Sequence, residues 1–182
     1  MGHKDKLLTA ARDCLLTIGY ARTTVRDLVA ASGANQASIN YHFGSKEQLL
    51  TRALHDLNKE WGELLFAILE TPDLPDSGAH EARWARIIES ITANRELWFV
   101  NFESVASARN DDEILSMIVE GQEKAKVSMA RAFAGLGPEA PPEEVRAVGS
   151  HYFALLVGVA MQWLTDPDHA PAAAQIAARP AY

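Results

Sequence analysis

Apolar residues in this chain recur every three or four positions and nowhere alternate, a period that suits one face of an α-helix and not a half-buried β-strand. Within residues 6–18, Leu7, Leu8, Ala11, Leu15 and Ile18 follow that period and form an amphipathic stripe. Comparable patterns fill residues 46–70, 80–93, 95–109, 111–135 and 142–165. Alanine occurs 30 times against 27 for Val, Ile and Thr together, so the best helix former outnumbers every β-branched residue combined. The expected fold is all-α with about nine helices, the last of them, over 171–179, being weak.

A chain of 182 residues can hold one long domain or two small ones. Its single cysteine, Cys14, allows no intrachain disulfide and agrees with a reducing compartment. The polar start lacks the apolar core of a signal peptide, and the longest apolar run, residues 152–161, is about half a membrane span. A cytoplasmic protein with no membrane partner is expected. The net charge of -7 is unevenly spread: residues 1–50 carry six basic and four acidic side chains, leaving 11 and 20 for the rest. A mildly basic N-terminal unit, 1–50, joined to an acidic helical body, 51–182, is the expected organisation.

Three short helices open the chain. Gly19 can close the first, and Thr24 can cap a second that carries Val25, Leu28 and Val29 and stops at Gly33. Asn35 can cap a third, with Ile39 and Phe43 facing inward and Gly44 ending it. Ser45-Lys46-Glu47-Gln48 then reads as a capping box opening a long fourth helix. Two helices of two to three turns joined at a glycine suit a helix-turn-helix, whose second helix enters the DNA major groove. Gln36, Ala37, Ser38 and Asn40 are candidate base readers, because amides can bond adenine, a hydroxyl suits either partner and a methyl suits thymine. Tyr41, His42 and Lys46 would hold phosphates, with Thr24 and Arg26 within reach of the backbone or a base edge. Residues 71–78 have turn chemistry, and Asn94 and Asn110 are candidate helix caps.

The stretch Thr23-Thr24-Val25-Arg26-Asp27-Leu28, Ala31-Ser32-Gly33 and Ser38-Ile39-Asn40-Tyr41-His42-Phe43-Gly44-Ser45-Lys46-Glu47 resembles the DNA-binding signature of tetracycline-repressor-type (TetR family) regulators. The resemblance covers about residues 7–54. It implies a homodimer on a palindromic operator, with a three-helix N-terminal unit and a larger helical domain that binds a small effector and dimerises. By matching position, it puts Gln36, Ala37, Ser38, Asn40, Tyr41 and His42 on the recognition helix, flanked by Thr24, Arg26 and Lys46. Asn40 stands where the family often has Tyr, Val29 where it usually has Ala, and Leu16 where Phe is common.

In the helix over 142–165, Ala147, His151, Ala154, Gly158 and Met161 form a small-residue stripe while large apolar groups cover the other side. A helix apolar nearly all round needs cover on both sides, and the family resemblance points this stripe at a partner subunit. Trp84, Trp98, Phe102, Met117, Tyr152 and Phe153 are candidate residues for an effector pocket, since ligand sites are mostly apolar. An apolar or aromatic effector, cationic to suit the acidic body, is expected. Enzyme signatures are missing: there is no metal-ligating His-Glu motif, no cysteine pair and no phosphate-cradling glycine loop. No enzyme activity, cofactor or metal is expected. A helical small-molecule-binding or protein-interaction protein without DNA function is the alternative.

Overall fold

The computed structural model describes residues 2–71 and 78–178. Its elements are α1 (His3–Thr17), α2 (Val25–Ser32), α3 (Gln36–Phe43), α4 (Lys46–Glu70), α5 (Ala79–Ala93), α6 (Arg95–Ser107), a 3-10 turn (Ala108–Asn110), α7 (Asp112–Ala134), α8 (Pro142–Thr165) and α9 (Ala173–Ala177). The all-α fold expected from periodicity is therefore the fold found, with no strand among the described residues. Most of the expected loop over 71–78 lies outside the described residues.

The chain divides into two compact units: Met1–Trp61 with Glu96–Ile118, and Gly62–Arg95 with Val119–Tyr182. In the first, α1 packs against α2 and α3 around Leu7, Ala11, Leu15, Leu28 and Ile39, all buried. Leu49, Leu50, Leu54 and Leu57 bury the inner face of α4. Each large aliphatic group buried this way contributes about 1.5–3 kcal/mol, which is what lets helices of eight residues persist although they are too short to be stable alone. Polar groups tie α6 to α4 inside this unit: Asn58 Nδ2 donates to Ser104 Oγ at 2.8 Å, and Asn101 Nδ2 donates to Asn58 Oδ1 at 2.8 Å. Trp61 and Trp98 meet edge to face with centroids 5.2 Å apart.

The second unit is organised on aromatic stacking and on arginines that close helices. Phe133 stacks on Tyr152 at 4.5 Å and lies 5.2 Å from Trp84. Arg83, although buried, donates to the Ala132 carbonyl in the last turn of α7 and lies over the Phe133 ring. Arg95 does the same for α8, donating to Trp163 O at 3.1 Å and Leu164 O at 2.7 Å. Cations at these ends satisfy carbonyls that have no partner inside the helix. α8 crosses α7 closely at Gly149, whose hydrogen faces the Lys126 carbonyl.

Of the two candidate caps, Asn94 is one: it closes α5, its Nδ2 donating back to Ser90 O at 3.1 Å. Asp111, not Asn110, caps α7: its Oδ1 accepts from the amides of Glu113 and Ile114 at 3.0 and 3.1 Å. A carboxylate is the stronger acceptor for amides at the positive end of a helix.

Candidate nucleic-acid interface

Local hydrogen bonds set both helices of the turn. Thr24 caps α2: its hydroxyl oxygen accepts the Asp27 amide at 3.3 Å, while Asp27 Oδ2 accepts the Thr24 amide at 2.9 Å and hydroxyl at 2.7 Å. These bonds, the hydroxyl first, hold the Asp27 carboxyl below its ordinary range. Gly33 then takes a left-handed φ of 66°, a conformation that costs other residues steric strain. Asn35 Oδ1 accepts the Ser38 amide at 2.9 Å and caps α3. Gly44 ends α3 at φ 84°, and Ser45 Oγ accepts the Gln48 amide at 3.1 Å to start α4.

The result is a short helix with one buried anchor and one bare face. Ile39 is buried, whereas Gln36, Ala37, Asn40 and Tyr41 are exposed, Tyr41 to 85%. Positions 36, 37, 40 and 41 fall on one side of a helix. The other candidates are more constrained. Ser38 is half-buried and its hydroxyl donates to Asn35 Oδ1 at 3.1 Å, so that hydroxyl serves the cap. His42 is half-buried with its ring edge-on to Tyr41, 4.9 Å between centroids. Lys46 Nζ donates to Thr23 O at 3.3 Å and pairs with Glu47 at 3.4 Å, joining the start of α4 to the approach of α2. Arg26 and Thr24 are exposed at the start of α2, the Thr24 hydroxyl being engaged by Asp27.

The stripe on α8 is bare as well: Ala147, His151, Ala154, Gly158 and Met161 are all exposed, and Val157 beside them is 37% exposed. By length and composition α8 could cross a membrane, yet only 28% of its most apolar window is buried in the single chain.

The six candidate effector residues fall in different places. Trp98, Phe102 and Met117 belong to the first unit and Trp84, Tyr152 and Phe153 to the second. Trp84 and Trp98 are each 2% exposed, and the others are half-buried. Trp84 and Tyr152 both contact Phe133, and Trp98 contacts Trp61. Neither Phe133 nor Trp61 was singled out from the sequence, because their partners lie far along the chain. An open groove of about 490 Å³ in the second unit is lined by Phe66, Glu70, Glu123, Lys124, Val127 and Ser128, none of them a sequence candidate. Lys126, 2.8 Å away, holds the Glu123 carboxyl below its ordinary range.

Cys14 is buried, and burial raises its thiol above the ordinary value, which keeps it protonated and poorly nucleophilic at neutral pH. Asp166 and His169 pair at 3.0 Å on the surface after α8. No group of three or more candidate metal ligands occurs among the described residues.

The profile of the bacterial regulatory proteins of the tetR family matches residues 7–53, which span the bare helix and its caps. The HTH-type transcriptional regulator QacR of Staphylococcus aureus is 33% identical over 63 residues, covering 35% of this chain and 34% of that protein. The HTH-type transcriptional repressor AcnR of Corynebacterium jeikeium is 34% identical over 61 residues, covering 34% of this chain and 32% of that protein. The matched stretch thus spans about a third of each of these relatives. The crystal structure of the multidrug binding protein EbrR complexed with proflavin covers 97% of this chain and 96% of its own, with a TM-score of 0.71 at 16% identity, and so shares the fold.

Proposed function

The chain is a member of the tetR family of bacterial regulatory proteins, and on that premise we propose that it is a cytoplasmic, dimeric repressor that binds a palindromic operator and is released by a small effector. The observation that carries the reading is the bare face of α3, where Gln36, Ala37, Asn40 and Tyr41 stand exposed on a helix capped at both ends. Such a face is not taken up by apolar packing and has the hydrogen-bonding groups that base edges require. Gln36, Ala37 and Asn40 read bases. Ser38 has an accepting lone pair to offer while its proton stays on Asn35. Tyr41, His42, Arg26 and Thr24 contact the phosphodiester backbone, and Lys46 does so by exchanging its Thr23 and Glu47 partners for a phosphate.

The α8 stripe of Ala147, His151, Ala154, Gly158 and Met161 covers itself against a second copy, which explains an apolar helix left largely bare in one chain. The resulting two-fold axis matches an operator with two half-sites about one helical turn, or a multiple, apart. The effector is a small apolar or aromatic molecule, cationic by preference. The groove lined by Phe66 and Val127 with the carboxylates of Glu70 and Glu123, alongside Lys124, supports that chemistry. Trp84, Trp98, Phe102, Met117, Tyr152 and Phe153 are the aromatic and thioether groups an effector in the body would rearrange. Binding there lowers operator affinity by favouring a different spacing of the two recognition helices, with α4 as the lever. The relatives are transcription regulators, not enzymes, and no cofactor enters the mechanism.

Selection of bound duplexes from a random DNA pool tests the reading. Enrichment of a palindrome, with affinity that falls steeply with salt and is lost in a folded Tyr41→Ala variant, is the expected outcome. A folded, dimeric protein stripped of small molecules that enriches no sequence would refute it.

A further inference from the structure

We infer that Glu103, on α6, is a positioning residue for the helix-turn-helix, acting through the Gly19–Tyr20 turn; the operator readout below rests on the proposed function, whereas the structural readout does not. Glu103 Oε2 accepts the backbone amide of Tyr20 at 3.1 Å, a contact between residues 83 apart in sequence. Gly19 makes room for it. A Cβ at that position would lie 2.7 Å from Glu103 Oε1 and 3.1 Å from Oε2, and the residue's φ of 88° independently favours glycine.

From that turn a chain of bonds leads to α2. The Gly19 carbonyl accepts both the amide of Thr23, at 3.2 Å, and its hydroxyl, at 2.7 Å. Thr23 is buried, and its own carbonyl accepts Lys46 Nζ at 3.3 Å, from the residue that begins α4. The next residue, Thr24, is the cap of α2. Holding Tyr20 therefore fixes where Gly19 presents its carbonyl, which fixes Thr23 and the start of the helix-turn-helix. Glu103 is itself held in register: its neighbour Ser104 is fully buried and accepts from Asn58 of α4 at 2.8 Å. A carboxylate accepting an amide is a charge-assisted bond, stronger than a neutral one. Its use here couples α6 to the start of α2, and so to the helix-turn-helix that α2 opens.

Amide hydrogen exchange and operator affinity in Glu103→Ala and Glu103→Gln test this, with the exposed Glu96→Ala as control. In Glu103→Ala the Tyr20 amide and the amides of α2 and α3 exchange faster, and affinity for the selected operator falls about three- to tenfold, the scale of one net hydrogen bond. Affinity for random DNA stays unchanged, because the phosphate-binding charges are intact. Glu103→Gln, which keeps an accepting oxygen, reverses most of both effects, and Glu96→Ala shows neither. Wild-type exchange throughout α2 and α3 in Glu103→Ala would overturn the inference, even if Tyr20 alone were released. Should the wild-type protein select no operator, the regulatory reading fails and the exchange data alone decide the role of Glu103.

Discussion

Replacing Gly149 by alanine should destabilise the protein although it improves intrinsic helix propensity. The added Cβ would lie 2.2 Å from the Lys126 carbonyl oxygen, 2.7 Å from its carbon and 2.9 Å from its Cβ. Ordinary contact begins near 3.4 Å, so α7 and α8 must part locally by about 1 Å at the oxygen. Overpacking a core costs about 1–3 kcal/mol, and a backbone carbonyl inside a helix cannot swing aside as a side chain can, which favours the upper end. The helix-propensity gain of about 1 kcal/mol offsets part, leaving a net loss of about 2 kcal/mol. For a chain this long that lowers Tm by roughly 4–8 °C. Gly121→Ala is the internal control: nothing lies within 4 Å of its Cβ, also within a helix, so it should gain about 1 kcal/mol and melt roughly 2–4 °C higher. Thermal melts followed by circular dichroism, at one fixed protomer concentration because the proposed dimer would add to stability, measure both. A Gly149→Ala protein that melts at or above the wild type would refute the close crossing of α7 and α8.

Two further outcomes are expected. The Asp27 carboxyl, held below its ordinary value of 3.8 by the Thr24 hydroxyl and amide, stabilises α2 at every pH above that value, and the contribution is lost as pH falls through the lowered one. Protection factors of the amides in the first turn of α2, which divide out the intrinsic pH dependence of exchange, should therefore fall below about pH 4 and stay flat from pH 6 to 8, whereas Asp27→Asn should lack the acid step; an identical acid step in that variant counts against the cap. Met161→Glu places a charge on the bare α8 stripe and should convert the proposed dimer to monomer in sedimentation at micromolar concentration, a charge left unpaired in an apolar interface being costly. An unchanged dimer would move the interface elsewhere.

Much of the geometry of the proposed DNA-binding unit was readable from neighbours in sequence. Thr24 with Asp27, Gly33, Asn35 with Ser38, and Gly44 with Ser45 each settle a helix end through bonds spanning three or four residues, so residue type and spacing suffice. Asn94 and Asn110 mark where that logic runs out. An asparagine between two helices can close one or open the next, and the choice fell to competition with Ser90 O and Asp111. The candidate effector residues met the same barrier, since aromatic spacing on one helix does not reveal that Trp84 and Tyr152 meet through Phe133.

The sequence by itself determined the helical class, the position of nearly every helix and the short capped helix with a polar face, because periodicity and capping act over a few residues. Only the tertiary structure decided which side of the apolar α8 stays bare, where Trp61 meets Trp98, that Lys46 reaches Thr23, and that Glu103 holds the turn before α2. These contacts join residues from 23 to 83 apart. Their formation depends on how much buried surface repays the entropy of closing each loop, a balance that no local pattern contains.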